Sequence, residues 1–197
     1  MSWRVADSLD ALLAEINTAA PTRSKASDGS IGDAAHASRQ SDHNPWVTDS
    51  NGEGVVRARD FTHDPADGLD CHALAAHLAT MLRNSKHPAL ASGAYIIWDG
   101  EILSRDRVSE GWRPYTGSNP HRAHLHLSVT TAASGYDSTR PWGWPTEETD
   151  MDEIREQLDR IERKVDRLVD AERARARRDA KRTQHNTDLL EEIAEGA

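Results

Sequence analysis

The sequence predicts an α+β domain, with a small and mostly antiparallel sheet and flanking helices, followed by a long C-terminal helix. Three observations carry this. The stretch "AYIIWDGEILS" (94–104) joins two apolar runs through Asp99-Gly100, the dipeptide that a two-residue hairpin turn prefers. Two earlier segments show the apolar spacing of amphipathic helices. After Asp150 the composition changes abruptly: 25 charges fall within 48 residues, and the apolar spacing becomes heptad-like.

In chain order, "DSLDALLAEINTAAP" places Leu9, Leu12, Leu13 and Ile16 on one helical face. Asp7 or Ser8 is expected to cap its start, and Pro21 lies beyond its end. From Thr22 to Gly54 the text is rich in Gly, Asp, Ser and Asn and reads as long loops. Loops of that length in a compact domain are usually functional. "GVVRARDFT" is a short β-branched strand ending at Asp60, and "LDCHALAAHLATMLRNS" is a helix turning Leu74, Leu78, Met81 and Leu82 to the core. The hairpin follows, then the loop "RDRVSEGWRPYTGSNP", then the strand "HRAHLHLSVT".

From Met151 the residues Met151, Ile154, Leu158, Ile161, Val165 and Leu168 step by alternating threes and fours. The expected organisation is a domain over 1–145, a linker over 146–150 within "STRPWGWPTEETD", and a charged helix over 151–197. The helix is coiled-coil-like over 151–168 and suited to a homo-oligomer or an assembly partner.

Composition removes several classes. A net charge of −9 lacks the basic face of a nucleic-acid binder. The single cysteine, Cys71, excludes an intrachain disulfide framework and four-cysteine zinc sites, and reads as a small buried residue. "MSWRVADSLDALL" is broken by Arg4, Asp7 and Asp10 where a signal peptide needs an apolar run. No apolar stretch reaches the roughly 20 residues of a membrane span, so no membrane insertion is expected.

The chemistry is concentrated in "HRAHLHLSV", which sets His121, His124 and His126 within six positions. On a strand, side chains two apart share a face, about 7 Å apart along the chain. His124 and His126 therefore point one way, and Leu125 and Leu127 the other. A mono-zinc site takes three protein ligands and keeps one position open, so further ligands must come from elsewhere. His43 in "SDHNPW" and Asp60 in "VRARDF" suit the role, with His36, His63, Asp42 and Asp64 as competitors. His72 and His77, on the second helix, read as surface or core-edge residues.

"SDHNP", "GVVRARDF" and "HRAHLHLSV" together resemble the metallopeptidase superfamily of lysostaphin-type enzymes, D-alanyl-D-alanine carboxypeptidases and the sonic hedgehog signalling domain. Its peptidase M15 branch includes bacteriophage endolysins. The family pattern is Ser-x-His, a Gly-containing segment ending in Asp, then His-x-His on a core strand. Ser41, His43, Asp60, His124 and His126 fill it. The resemblance spans roughly residues 22 to 130 and implies His43, Asp60 and His126 as zinc ligands. It implies His124 as the catalytic histidine beside the metal and His121 as a second proton shuttle. Many relatives carry a carboxylate base near this strand; here positions 122 and 123 are Arg122 and Ala123. An arginine upstream stabilises the oxyanion in relatives, which points to Arg23 ahead of Arg39. "WVTDSNGEG" reads as an inserted loop at the rim.

The function implied is zinc-dependent hydrolysis of a peptide bond in peptidoglycan stem peptides, by a phage endolysin or a tail-associated peptidase. The protein would be made in the host cytoplasm and act at the bacterial cell wall, free or as a virion component. The alternatives are a non-catalytic zinc-containing binding module and a structural tail component.

Overall fold

The computed structural model describes residues 2–31 and 41–144, together with a helical stretch over 168–179 and helical positions 162, 165, 166 and 182. Contacts divide the chain into two units, Met1–Trp144 and Pro145–Ala197. No helix among the described residues is long and apolar enough to cross a membrane.

The first unit is α+β, with two mostly antiparallel sheets. Strand β1 (Trp3–Val5) leads into helix α1 (Asp7–Ala19), which buries Leu9, Leu12 and Ile16 completely and leaves Leu13 half-buried. The cap differs from expectation. Ala6, not Asp7 or Ser8, occupies the N-cap, and no side chain bonds there. The start is fixed instead by the Ala6 amide donating to the Val56 carbonyl, while Asp7 and Asp10 face the positive end of the helix dipole. Trp142, also fully buried, donates its indole N–H to the Ser8 carbonyl, and Glu15 accepts from the Trp142 and Trp144 amides. The chain is thus tied to α1 as far as Trp144, close to the end of the domain expected over 1–145.

"GVVRARDFT" is not one strand. It forms β3 (Gly54–Val56) and β4 (Ala58–Thr62), and the chain changes sheets at Arg57. β3 pairs in parallel with β1 and antiparallel with β2 (Val47–Thr48), making a three-stranded sheet. β4 continues past Asp60 to Thr62 and edges the second sheet. Arg57 holds the crossing: its guanidinium donates to the Val129 carbonyl and, at 2.5 Å, to Asp42.

Helix α2 (Cys71–Arg83) is capped by Asp70, whose carboxylate accepts from the His72 amide at 2.8 Å. It buries Leu74, Leu78, Met81 and Leu82 as expected and packs on β5 (Tyr95–Trp98). β5 and β6 (Glu101–Ser104) form the hairpin, and Asp99 and Gly100 both take positive φ, 46° and 82°, as that tight turn demands. With β7 (Arg113–Pro114) and β8 (His124–Ser128), the order of the second sheet is β4-β8-β5-β6-β7, antiparallel throughout. A four-residue helix, α3 (Ala133–Tyr136), follows.

β8 begins three residues later than the sequence suggests. His121 lies outside it with φ 53°, a left-handed conformation uncommon for a non-glycine residue. Alternation within β8 holds: Leu125 and Leu127 are fully buried in the core with Phe61 and Ile96, and the opposite face carries His124, His126 and Ser128.

Most of the heptad stripe, from Met151 to Ile161, lies outside the described residues. Val165 and Leu168, at its end, are 50% and 70% exposed.

Candidate metal centre

Antiparallel pairing puts Asp60 of β4 directly opposite His126 of β8, and Thr62 opposite His124. Residues opposite one another share a face, so the sheet alone brings two of the expected ligands together. The third, His43, arrives on a loop held by Arg57–Asp42 and by the Trp46 indole N–H donating to the Ser41 carbonyl at 2.7 Å.

Three donor atoms converge. His43 Nε2 lies 3.1 Å from His126 Nδ1 and 3.4 Å from Asp60 Oδ1, and the last two are 3.0 Å apart. A tetrahedral zinc with ligands at roughly 2.0–2.1 Å requires donor separations of about 3.3 Å. The triangle fits. The far side of each ring supports the same reading. His43 Nδ1 lies 2.7 Å from the Ser30 carbonyl, which can only accept, so Nδ1 carries the hydrogen and the neutral ring turns a bare lone pair inwards. His126 Nε2 lies 3.0 Å from Ser128 Oγ, a hydroxyl able to accept its N–H and free Nδ1 for a metal. Tyr95 stacks on His126 with centroids 5.4 Å apart, and burial together with Asp42 raises its phenol pKa so that the ring stays neutral.

The electrostatics match an anion ringed by imidazoles. Burial disfavours a charge on Asp60, but its close contacts with His126 and His43 outweigh it and hold the carboxyl well below the usual range. Burial also resists charge on His43, yet Asp60 overcomes it and raises that pKa. For His126, burial prevails and its pKa falls. The remaining histidines complete the cluster. His124 Nε2 is 3.6 Å from Asp60 Oδ2 and 3.5 Å from the Asn119 side-chain amide. The His121 ring is centred 5.0 Å from His124 and 5.3 Å from His126. Its backbone is fixed by its amide donating to Asn119 and its carbonyl accepting from Asp99 at the hairpin turn. Burial, aided by His126, pushes its pKa down to about 4, so it is neutral at ordinary pH.

Arg23 is placed otherwise than the resemblance implies. Its side chain is fully buried and donates to Asp28 at 2.6 and 2.9 Å, to Asn17 and to the Ser24 carbonyl. Asp28 also accepts from the amide and hydroxyl of Thr62. The pair fastens the loop ahead of Gly29 and Ser30 to β4, where Gly29 bridges to Asp60. It is a positioning device for the site, not a free cation. Arg39 and His36 lie outside the described residues.

A second group, His63, Asp70 and His72, also brings its donor atoms within 4.8 Å of one another. Its hydrogen bonding is opposite. His63 Nδ1 accepts from the Cys71 amide, and His72 Nδ1 accepts from the Trp98 indole N–H at 3.0 Å. Each Nε2 then carries the hydrogen, and neither ring offers a lone pair to an ion. His72 and His63 flank Trp98 as packing partners, and His77 bonds the Trp142 carbonyl, the roles expected for core-edge histidines. Cys71 is buried, which pushes its thiol pKa up to about 12.

Ser30, Ser128 and Tyr95 escaped the sequence reading. Ser128 had a signal: it lies two residues beyond His126, on the same face of the strand. Comparison with known proteins found no family model, curated protein or solved structure that matches this chain.

Proposed function

We propose that residues 1–145 form a zinc-dependent peptidase acting on the stem peptides of bacterial peptidoglycan, with His43, Asp60 and His126 as the zinc ligands. The observation that carries the reading is the set of three converging donor atoms whose partners on the far side, Ser30 and Ser128, orient both rings towards a cation. The choice of substrate rests on the resemblance of the Ser-x-His, Asp and His-x-His elements to the M15 branch.

Zinc held there would supply Lewis acidity towards a scissile carbonyl and bring the pKa of its water down to about 7. The protein's own part is positioning and proton transfer. His124, beside Asp60 Oδ2, takes a proton from the attacking water and returns it to the leaving amine as a general base and then acid. His121 adjoins His124 and extends the relay, its backbone held by Asn119 and the Asp99–Gly100 turn. Asp60 stays ionised throughout, because the histidines stabilise its anion.

The test is digestion of purified peptidoglycan by the full chain, with mass spectrometry of the fragments. Peptide-bond cleavage is expected, lost on chelation and restored by zinc. His124→Ala should retain zinc and lose roughly 10²–10⁴ in rate. A zinc-loaded wild type that releases no fragments would replace the peptidase reading with that of a zinc-containing binding module.

A further inference from the structure

Asp60 is shared. Its Oδ1 belongs to the triangle with His43 and His126, and its Oδ2 faces the other way, towards His124. Donor atoms of Asp60, His121 and His124 also lie within 4.8 Å of one another. The Nδ1 atoms of His121 and His124 are both buried and have no hydrogen-bond partner. Buried polar nitrogens are almost always satisfied in native proteins; the nitrogen of His124 that faces Asp60 is Nε2, and the unpartnered Nδ1 of the adjoining His121 marks a lone pair that an ion beside Asp60 would take up.

We propose that Asp60, His121 and His124 form a second divalent-cation site, with the Asp60 carboxylate bridging it to the first. This inference rests on the zinc reading of the first site. Three observations support it beyond proximity. The two rings come from different elements, His121 from the segment whose backbone is tied to the hairpin turn and His124 from strand β8, which also carries His126. His121 adopts its left-handed backbone at φ 53°, an uncommon conformation that sets its ring beside His124 instead of continuing the strand. The side chains of His124 and Asp60 remain 15% and 18% exposed, so an ion can reach them. Carboxylate-bridged pairs of divalent ions in hydrolases stand about 3.5–4 Å apart, a separation that one carboxylate spans.

The two sites differ in affinity. One carboxylate serves both dications, so the second ion binds against the charge of the first. The tight ion is the one held by His43, Asp60 and His126; the weaker one is held by His121 and His124. Filling the weaker site occupies the lone pairs that His124 and His121 need for proton transfer, so the second ion inhibits hydrolysis.

The experiment is a zinc titration of the full-length, metal-stripped protein, followed by native mass spectrometry and elemental analysis. Wild type should bind two zinc ions in two separated steps, His121→Ala one, and Asp60→Asn none at micromolar free zinc. Peptidoglycan hydrolysis by wild type should rise with the first step and fall roughly 10²-fold with the second. Saturation at one ion overturns the second site and leaves the first reading standing, whereas failure to bind any zinc overturns both. Two ions in His121→Ala place the second ion elsewhere and overturn the proposal, as does hydrolysis that is unchanged while the second site fills.

Discussion

His43–Asp60–His126 and His63–Asp70–His72 have the same composition and comparable spacing, each with donor atoms within 4.8 Å. They differ in what lies behind the rings. In the first group, acceptor oxygens of Ser30 and Ser128 face the outer nitrogens and turn lone pairs towards Asp60. In the second, N–H donors of Cys71 and Trp98 take up the lone pairs. The difference teaches that two histidines and a carboxylate in proximity are not yet a metal centre. The tautomers, which are set one shell further out, decide it.

The comparison can be broken most directly at the ligands. His43→Ala should abolish stoichiometric zinc in elemental analysis of the purified protein, since two protein ligands do not make a tight zinc site. Retention of full zinc would mean that the first group is misassigned.

The loop behind the first group comes next in size. Breaking a buried ion pair by removing one partner costs about 3 kcal/mol, so Asp28→Asn should lower stability by that order in denaturant melts at pH 7. The pH dependence has a definite sign. Burial opposes the Asp28 anion, but Arg23 and Thr62 outweigh it and depress the folded pKa. Its contribution is therefore complete above the unfolded carboxylate value of about 3.9 and is lost as pH falls towards the folded one. The stability gap between wild type and variant should narrow as pH falls below the unfolded value of about 3.9. A constant gap from pH 7 to pH 2 would show that the pair is not responsible.

Ser128→Ala tests the outer shell alone. Loss of such a partner typically weakens metal binding by about 10–100-fold, and competition with a chromophoric chelator should show that range. The smallest effect belongs to the second group. His72→Ala should leave zinc content unchanged and cost about 1 kcal/mol or less, the worth of one hydrogen bond to Trp98. A measurable fall in zinc would erase the distinction between the groups.

Much of this was legible from local pattern. The faces of α1 and α2, the Asp99-Gly100 turn and the alternation of β8 follow from periodicity and turn chemistry, which act over a few residues. What was hidden depends on distant partners. "GVVRARDFT" carries no break of its own; it divides at Arg57 because that side chain is claimed by Asp42 and Val129. His121 looks like strand until the hairpin turn takes its carbonyl and that of Pro120. Arg23 resembles a free cation until Asp28 is seen beside it. Within the site, Asp60, His124 and His126 could be placed by strand logic. The carbonyl of Ser30, which sets the tautomer of His43, has no side-chain signature at all.

The two kinds of scaffold under the first triangle also fix how an ion would depart. Asp60 and His126 sit opposite one another midway along the paired strands β4 and β8, and separating them means unzipping one strand from the other. His43 is carried by a loop whose ties include the Arg57–Asp42 ion pair, the Arg57 amide donating to the Asp42 carbonyl, and the Trp46–Ser41 hydrogen bond. Local openings of loops need far less free energy than the rupture of core strands. Exchange of an ion bound there would therefore be gated by that loop: its off-rate would follow the fastening of Arg57 to Asp42 and of Trp46 to Ser41, and not the global unfolding rate.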